Sequence, residues 1–404
     1  MANLKPGWRR VKFGDVVRLH KETCKNPTAE GIDRYIGLEH LEPGDLRIRS
    51  WGDVSDGTTF TSRVRPGQVL FGKRRAYQRK VAVADFDAVC SGDIYVFESA
   101  NPERLLPDLL PFLCQTDSFF EHAVGTSAGS LSPRTNWTSL AEYEFVLPPM
   151  EEQRRLTDLF VKVENVINER SRLSRVSGVL VKSAVDACFD GSLCRTNERR
   201  VHTELGFFPR SWRIVTLCEV TTKIVDGVHK RPNYVDAGIP FLTVENLTRG
   251  PGVDFEQTRF ITWADHVEFS KRAPTSPGDV LVSKDGTLGV ARVVETDREF
   301  SIFVSLALLK PQRGVLDPWF LRYYFDSRLF LRRLGTKTSG SALKHIHLVD
   351  LRNTSIPLPT YNQQLAFVEV IRSAENSMLL ALDGKARAQR LKENFLRTLV
   401  LGYV

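Results

Sequence analysis

The chain reads Leu147-Pro148-Pro149-Met150-Glu151-Glu152-Gln153 at the start of one long helical pattern and Leu358-Pro359-Thr360-Tyr361-Asn362-Gln363-Gln364 at the start of another. The two stretches lie 211 positions apart, and the same interval separates Pro66-Gly67 from Pro277-Gly278. Nearer the beginning the interval is 204, because Trp8 returns as Trp212. An interval that drifts only by small insertions indicates that one unit occurs twice, over residues 1–193 and 205–404.

Each copy divides into an irregular part and a helical tail. The irregular parts alternate short β-prone runs with glycine and proline, a pattern that predicts a mixed α/β (α+β) globule. A proline stop precedes each tail, because the residue before proline favours extended backbone while proline itself suits the first turn of a helix. The predicted organisation is a first globule over residues 1–148, a central long helix over 149–193, a linker over 194–204, a second globule over 205–359 and a C-terminal long helix over 360–404.

Apolar residues in both tails recur at steps of three, four or seven, the spacing of a coiled-coil seam. Two seams of equal length in one chain favour mutual pairing over packing of each tail on its own globule. Antiparallel pairing would give two pseudo-symmetric globules separated by two helices of about 60 Å. The seams run through Leu159, Val163, Val166, Leu173, Leu180, Ala184 and Ala187, and through Val368, Ile371, Met378, Leu382, Leu396 and Leu399.

The charge balance fits a polyanionic partner without requiring one. The chain carries 56 basic and 48 acidic residues, a net charge of +8 and a pI near 9.2. Its six cysteines are scattered without the paired spacing of a zinc site, so we expect no bound metal. We find no apolar run long enough to span a bilayer and no leader sequence, so we expect a cytoplasmic protein with no membrane partner.

Two loops in each copy carry candidate contacts to a polyanion. Lysine and arginine suit phosphates and guanine edges, while short hydroxyl, amide and carboxyl groups offer adaptable hydrogen bonds. A charged or glycine-rich loop is often only solvated, and this alternative stays open. The candidates of the first copy are Lys73, Arg74, Arg75, Tyr77, Arg79 and Lys80 after the Pro-Gly turn, with Ser127, Ser130 and Arg134 before the proline stop. Those of the second copy are Ser283, Lys284, Asp285 and Thr287, with Lys337, Ser339, Ser341, Lys344 and His345.

The order of these motifs resembles that of the specificity (S) subunit of type I restriction-modification systems. The likeness covers almost the whole chain and includes the helix starts, the closing stretch Phe189-Asp190-Gly191-Ser192-Leu193 and the turn motif Lys284-Asp285-Gly286-Thr287-Leu288-Gly289. The second copy departs from the pattern at residues 360–364 and 400–404. The resemblance implies two target recognition domains that bind a bipartite, asymmetric site on double-stranded DNA.

The resemblance also implies a complex. Subunits of this kind bind two copies of a methyltransferase (M) subunit, chiefly through the helices, and a further restriction and translocase (R) subunit cuts unmodified DNA. S-adenosylmethionine, ATP and Mg²⁺ would be held in those partner subunits, with no cofactor in this chain. The positions expected to bind partners on the helices are Gln153, Leu159, Val163, Val166, Leu173, Leu180, Gln364, Val368, Ile371, Met378 and Leu382.

No motif in the sequence indicates a catalytic centre. We find neither a G-x-x-x-x-G-K-[ST] nucleotide loop nor an Asn/Asp-Pro-Pro-aromatic methyltransferase motif, since Leu147-Pro148-Pro149-Met150 lacks the Asn or Asp that would engage a target amine. The expected role is DNA recognition without catalysis. The alternatives are a stand-alone sequence-specific DNA-binding adapter, a protein scaffold that never touches DNA, and a DNA-modifying enzyme acting alone. The duplication also suggests that residues 1–193 by themselves would form a symmetric dimer.

Overall fold

The structure, a computed structural model, describes residues 4–193, 198–336 and 345–400, and it describes residues 335, 336 and 400 by their backbone only. The chain forms two compact units: unit 1 is Met1–Ser171 with Leu382–Val404, and unit 2 is Arg172–Ala381. Each unit therefore contains the globular part of one copy together with a segment of each long helix. None of the described helices is both long enough and apolar enough to cross a membrane.

Unit 1 is built on two four-stranded sheets. Its strands are β1 (Arg9–Lys12), β2 (Val17–Leu19), β3 (Arg34–Ile36), β4 (Gly52–Asp53), β5 (Ser62–Val64), β6 (Val69–Gly72), β7 (Val81–Val83), β8 (Ala88–Cys90), β9 (Ile94–Ser99) and β10 (Glu144–Leu147). One sheet has the order β2-β9-β6-β7 and is antiparallel throughout. The other has the order β4-β3-β8-β5, in which only β3 and β8 run parallel. β1 pairs with β10 just before the first long helix.

The described helices of unit 1 are short, except for the long helix that continues into unit 2. They are α1 (Phe13–Val16), α2 (Leu110–Leu113), α3 (Asp117–Gly125), α4 (Trp137–Ala141) and α5 (Met150–Phe189), which continues into unit 2. Five short 3-10 helices span Thr28–Glu30, Leu38–His40, Val54–Asp56, Ala76–Gln78 and Pro107–Leu109.

Strand β6 separates the two larger apolar cores of unit 1. All four of its residues are buried, as expected of a strand that is covered on both faces. Because side chains alternate across a strand, Leu70 enters the core of the β3–β8 sheet while Phe71 enters the larger core on the opposite face. There Phe71 stacks on Phe97, with 5.7 Å between ring centroids. β6 thereby fixes where the chain emerges at Lys73.

Unit 2 repeats this arrangement. Its strands are β11 (Arg200–Thr203), β12 (Gly206–Pro209), β13 (Arg213–Thr216), β14 (Thr221–Asp226), β15 (Tyr234–Val235), β16 (Ile239–Leu242), β17 (Arg259–Ile261), β18 (Val280–Ser283), β19 (Ala291–Val293), β20 (Ser301–Ile302), β21 (Leu306–Pro311) and β22 (Ser355–Leu358). The sheets have the orders β14-β21-β18-β19 and β15-β17-β16-β20, with β16 parallel to β20, and the remaining strands form the pairs β11-β12 and β13-β22.

The helices of unit 2 confirm the duplication. They are α6 (Leu217–Val220), α7 (Val244–Thr248), α8 (Trp263–Arg272), α9 (Pro318–Asp326), α10 (Arg328–Thr336), α11 (Leu348–Arg352) and α12 (Tyr361–Val400). α10, α11 and α12 begin and end 211 positions after α3, α4 and α5, so the interval in the sequence is also the interval in the structure.

The two long helices, of 40 residues each, pack antiparallel within each unit. In unit 1, Phe160 of α5 meets Phe395 of α12 with 6.2 Å between ring centroids, and Gly384 lies against Arg170. In unit 2, Gly178 faces Met378, where a Cβ on the glycine would lie 3.4 Å from the Met378 sulfur. The predicted mixed α/β (α+β) fold and the antiparallel helix pairing are confirmed.

The buried face of the long helices differs from the predicted seam. Val163, Val368 and Ile371 are buried, and Leu159 and Met378 are half-buried. Near the globules the buried positions follow the 3.6-residue period of a helix packed on a domain, because α5 covers a core there as well as contacting α12. Seam positions away from these cores stay in solvent: Val166, Leu173, Leu180 and Leu382 are 46%, 43%, 55% and 46% exposed.

A buried glutamine ties each long helix to its own globule. The Gln153 side chain is fully buried; its Oε1 accepts from the Leu106 amide at 2.8 Å, and its Nε2 donates to the Arg104 and Pro148 carbonyls at 2.9 Å each. Gln364 makes the same three bonds 211 positions later, to Asp317, Val315 and Pro359. These glutamines, predicted as partner-binding positions, lie inside the protein, where they fix the direction in which each helix leaves its globule.

Candidate nucleic-acid interface

The two candidate loops of unit 1, residues 73–80 and 126–134, lie side by side and form what we term the first loop pair. The Arg75 amide donates to the Pro133 carbonyl at 2.7 Å, and the Thr135 amide donates to the Lys73 carbonyl at 3.1 Å. Arg74 and Arg134 are partners in a short antiparallel β-bridge. Although 45 residues of chain, 81–125, separate the loops, backbone hydrogen bonds hold them as one surface.

Asp93 joins the side chains of the first loop pair. Its Oδ2 accepts from an Nη atom of Arg74 at 3.1 Å, and its Oδ1 accepts from Nε of Arg134 at 2.9 Å. Burial alone would raise the pKa of Asp93, but the Arg134 and Arg74 guanidinium groups hold the pKa of this carboxyl below its ordinary value. One ionised carboxylate therefore sets the positions of two cations, one from each loop.

The backbone of residues 73–80 is strained at two arginines. Among the described non-glycine residues, only Arg75 and Arg79 have positive φ, 55° in both cases, and they flank the short helix Ala76–Gln78. This conformation costs a residue with a Cβ roughly 1–2 kcal/mol. Such strain persists only where the surrounding contacts enforce it, and it concentrates at functional sites.

Several predicted contact residues of unit 1 are already engaged within the protein. The Lys80 ammonium donates to the Leu38 carbonyl at 2.7 Å, and Arg79 forms an ion pair with Asp117 at 2.5 Å. The Lys73 ammonium lies over the ring of Tyr95, 4.5 Å from its centroid. The Ser127 hydroxyl donates to a carbonyl of α3, that of Ala123, at 2.7 Å. These groups stabilise the loop pair through contacts within the protein.

Other side chains of the first loop pair reach into solvent. Arg75, Ser130 and Arg134 are exposed, and the Tyr77 side chain is 55% exposed. Leu131, at the tip of residues 126–134, is 90% exposed. Sequence reasoning missed Leu131 because a single leucine in a serine-rich loop carries no charge signal. Together they present cationic, hydroxyl and apolar groups on one surface.

Unit 2 brings together residues 284–289 and 345–347, which form the second loop pair. The Ile346 amide donates to the Lys284 carbonyl at 2.8 Å, and Nδ1 of His345 bonds to the Asp285 carboxylate. Asp285 and His345 also form a β-bridge, 211 positions after Arg74 and Arg134. The pairing of loops is therefore common to both copies, while the side chains differ. Four predicted contacts lie outside the described residues: Lys337, Ser339, Ser341 and Lys344.

Lys284 departs from its predicted surface position. Its side chain is 3% exposed, and its ammonium lies 3.6 Å from Oδ2 of Asp226 and 3.7 Å from Oδ2 of Asp285. Ser283 is also fully buried, with its hydroxyl donating to the Thr287 carbonyl at 2.5 Å. Thr287 itself is exposed. The residue types suggested surface groups, but Ser283 ends the buried strand β18, Lys284 follows it directly, and both side chains are buried.

A cationic stretch next to this cluster was missed by sequence reasoning. Nε2 of His229 lies 3.4 Å from Oδ2 of Asp226, and the exposed Lys230 and Arg231 follow directly. Burial would raise the pKa of Asp226, but Arg272, Lys284 and His229 hold it below its ordinary value. The sequence signal is the glycine after the strand-ending Asp226, followed closely by His229, Lys230 and Arg231. A Cβ on Gly227 would lie 2.0 Å from the Ile302 carbonyl oxygen, which leaves no room for a side chain.

The chain has relatives along its full length. The MjaVIII specificity subunit of a type I restriction enzyme from Methanocaldococcus jannaschii is 20% identical over 415 aligned positions, which cover 98% of this chain and 93% of the relative. The S subunit of the type I restriction-modification system of M. genitalium aligns with a TM-score of 0.64 at 13% identity, over 98% of this chain and 96% of that one. A chain from a study of complex assembly and conformational transition of the type I R-M system gives a TM-score of 0.56 at 23% identity, over 99% of both chains. No family model matches the chain.

A mixed-sheet globule followed by a long helix, repeated once, is the fold that this chain shares with the solved S subunits. The chain is homologous to the specificity subunits of type I restriction enzymes.

Proposed function

We propose that this chain is the DNA sequence-recognition subunit of a type I restriction-modification complex. The observation that carries the proposal is the pairing of two loops at equivalent positions of both copies, with different side chains in each. A duplicated framework with diverged contact groups suits a bipartite site whose two halves differ. The full-length relationship to specificity subunits supports the same role.

The first loop pair would contact DNA through its solvent-exposed groups. Arg75 and Arg134 suit phosphates or a guanine edge, and Ser130 offers an adaptable hydroxyl. Tyr77 and Leu131 would add apolar contact to a thymine methyl group or a sugar. Asp93 and Lys80 would hold the loops in place without touching DNA.

Among its described residues, the second loop pair carries fewer cations than the first. Thr287 is exposed and His345 is half-buried, and the exposed Lys230 and Arg231 lie on the loop after β14. Hydroxyl and imidazole groups offer both donors and acceptors to base edges, while the two cations suit the phosphates. The different side chains at equivalent described positions of the two loop pairs, Arg74 and Arg134 against Asp285 and His345, favour unequal half-sites.

The long helices would carry the partners. Leu173, Val176 and Leu180 of α5 lie within unit 2 and are 43%, 56% and 55% exposed at helical spacing, which makes one apolar face. We propose that such faces bind two methyltransferase (M) subunits, and that a restriction (R) subunit joins the complex. S-adenosylmethionine, ATP and Mg²⁺ would be bound by those partners, and this chain would contribute recognition without catalysis.

Selection from a random duplex library tests the proposal. The purified chain, alone and with an M subunit of the same system, is incubated with the library at several salt concentrations. We expect two short enriched blocks at a fixed spacing and a negative slope of log K against log salt. A protein scaffold would give no slope and no enrichment.

The same preparations separate the remaining alternatives. A stand-alone adapter would enrich the same sequence with or without the M subunit, whereas a subunit of a complex would gain selectivity when the M subunit is present. A DNA-modifying enzyme acting alone would yield methylated or cut DNA when the chain is incubated with S-adenosylmethionine and Mg²⁺ but no partner.

A further inference from the structure

The junctions between helix and globule carry exchanged charges in the two units. In unit 2, Arg328 at the start of α10 binds Asp186 of α5, with 2.9 Å between Nε and Oδ2. The Arg328 amide also donates to Oδ1 of Asp186 at 2.9 Å. The equivalent positions, 211 residues away, are Asp117 at the start of α3 and Arg397 of α12, which line one cleft of unit 1. In unit 1 the acid lies on the globule, where Asp117 forms an ion pair with Arg79, and the base lies on the helix; in unit 2 the acid lies on the helix and the base on the globule.

A second, buried difference lies along the helix contact of unit 1. Glu164 of α5 forms an ion pair with Lys392 of α12, and the two side chains are 13% and 7% exposed. A buried carboxylate of this kind requires a partner, because removing the cation leaves an uncompensated charge away from water. The position equivalent to Lys392 on α5 is Val181, which supplies no charge.

The counterpart of Glu164 in unit 2 is satisfied by its own globule. Glu375 accepts from Arg322 at 2.9 Å and from the Tyr323 hydroxyl at 2.7 Å. The equivalent residues of the unit 1 globule are Pro111 and Phe112, which offer no donor side chain. Glu164 therefore depends on a cation from the helix that lies beside it.

A dimer of two first copies would lose the Glu164–Lys392 ion pair and would bring a second acid to the cleft that Asp117 lines. The end of α5 would take the place of the end of α12, so Asp186 would stand next to Asp117 and Val181 next to Glu164. One exchange would lower the negative charge at this junction, because Lys182 would take the place of Glu393. Both side chains are exposed, so water screens their contribution. Burial makes the loss at Glu164 the deciding one.

We propose that these charge-exchanged junctions direct the two copies to pair with each other and prevent residues 1–193 from forming a symmetric dimer. The junctions act by rejecting the wrong partner as well as by binding the right one. The inference rests on the duplicated fold and not on DNA recognition. It replaces the expectation, drawn from the duplication alone, that the first copy would dimerise.

The test starts from the full chain. Residues 194–197 are replaced by a protease recognition sequence, the purified chain is cut there, and preparations with light and heavy isotopes are mixed. Mild denaturant is added until the light and heavy halves have exchanged fully in the pairs of a first half with a second half. Native mass spectrometry then counts each kind of pair. We expect pairs of a first half with a second half, and pairs of two first halves at least about tenfold rarer. Like pairs in statistical proportion would overturn the proposal.

A variant should reverse the preference. Asp186→Arg with Arg328→Asp keeps an ion pair in unit 2 with its signs exchanged, while the new arginine would attract Asp117 in a pair of first halves. Adding Val181→Lys supplies a cation for Glu164. We expect pairs of first halves to rise about tenfold in the triple variant, because both rejecting contacts are removed.

A matched control carries the same change in charge away from the junction: Glu169→Arg, Val179→Lys and Arg332→Asp, all at exposed positions. The control should behave as the unmodified chain. A triple variant that stays as selective as the control would contradict the proposal. If the triple variant does not fold, the Asp186→Arg/Arg328→Asp double variant decides by the same count, with a smaller expected rise.

Discussion

Asp93 and Asp226 each bind cations next to a loop pair. These bound cations show that a positive charge does not by itself make a residue a DNA contact. Arg74 and Arg134 converge on Asp93, and Lys284 is buried beside Asp226. Arg74 and Lys284 orient the loops, whereas Arg134 is held by Asp93 and is also exposed to a ligand. The side chains left in solvent around them are the ones available to a ligand.

Replacing Asp93 by asparagine separates orientation from simple electrostatics. Asp93→Asn removes a negative charge, so a protein that only attracts phosphates would bind DNA more tightly. We expect the opposite, a loss of about tenfold in affinity for the selected site, or about 1.4 kcal/mol, because Arg74 and Arg134 lose their common anchor. Fluorescence anisotropy on the selected and a scrambled duplex measures the difference. Tighter binding to both duplexes would refute the orienting role.

Lys230 and Arg231 should contribute to affinity without setting sequence preference. Each alanine substitution is expected to reduce the slope of log K against log salt by about 1 and to weaken all duplexes equally, since phosphate contacts carry no sequence information. Arg210→Ala, at another exposed cation of unit 2, is the control and should leave the slope unchanged. A change of preferred base at one position would instead assign Lys230 or Arg231 to a base edge.

At the level of single residues, the sequence identifies candidate contact residues but does not predict which of them are exposed. Arg75, Tyr77 and Arg134 are exposed as the loop pattern suggests, whereas Lys284 is buried. The difference arises because the pattern cannot reveal that the Asp226 carboxylate, 58 positions earlier in the sequence, lies next to that lysine. Contacts between residues distant in sequence decide which cations remain free.

At the level of secondary structure, the long helices follow from the sequence with little ambiguity. A proline stop and a repeated interval place their starts, and α5 and α12 begin at Met150 and Tyr361. Their contact face is less predictable, because the seven-residue seam ignores the globules that the helices also cover. Leu173 and Leu180 satisfy the seam pattern and yet lie in solvent.

The buried glutamines should control how firmly each helix is held. Gln153→Ala would leave the Leu106 amide and the Arg104 and Pro148 carbonyls without their partner, so we expect a loss of about 2–4 kcal/mol in unfolding free energy. Gln364→Ala should cost a similar amount in the other unit. Gln389→Ala, at an exposed position of α12, is the control. Chemical denaturation followed by circular dichroism gives the values, and losses equal to that of the control would argue against the clamp.

The exposed leucines of α5 should matter for assembly and not for DNA contact. Leu173→Ser with Leu180→Ser should weaken capture of an M subunit about tenfold or more, because burial of two leucines at an interface is lost. Val235→Ser, a similarly exposed apolar residue on β15, is the control. Analytical ultracentrifugation of the mixed subunits measures the change. Normal assembly of the leucine variant would place the M subunit elsewhere.

At the level of the whole molecule, one gene product carries two diverged copies of a recognition unit. The interval of 211 positions is preserved in three helices, two loop bridges and both glutamine clamps, so the framework is duplicated in detail. The sequence alone established this duplication, because an interval depends only on which residues recur. The loop chemistry and the exchanged charges at the helix junctions are what make the two copies unequal.

The methylated sequence shows directly whether this chain reads two different half-sites. The chain is expressed with an M subunit of its own system in a host that lacks adenine methylation, and methylated adenines are mapped across the genome. We expect one motif of two short, different blocks at a fixed spacing, lost when the chain is omitted. A palindromic motif, a single contiguous block, or the same motif without this chain would contradict this expectation.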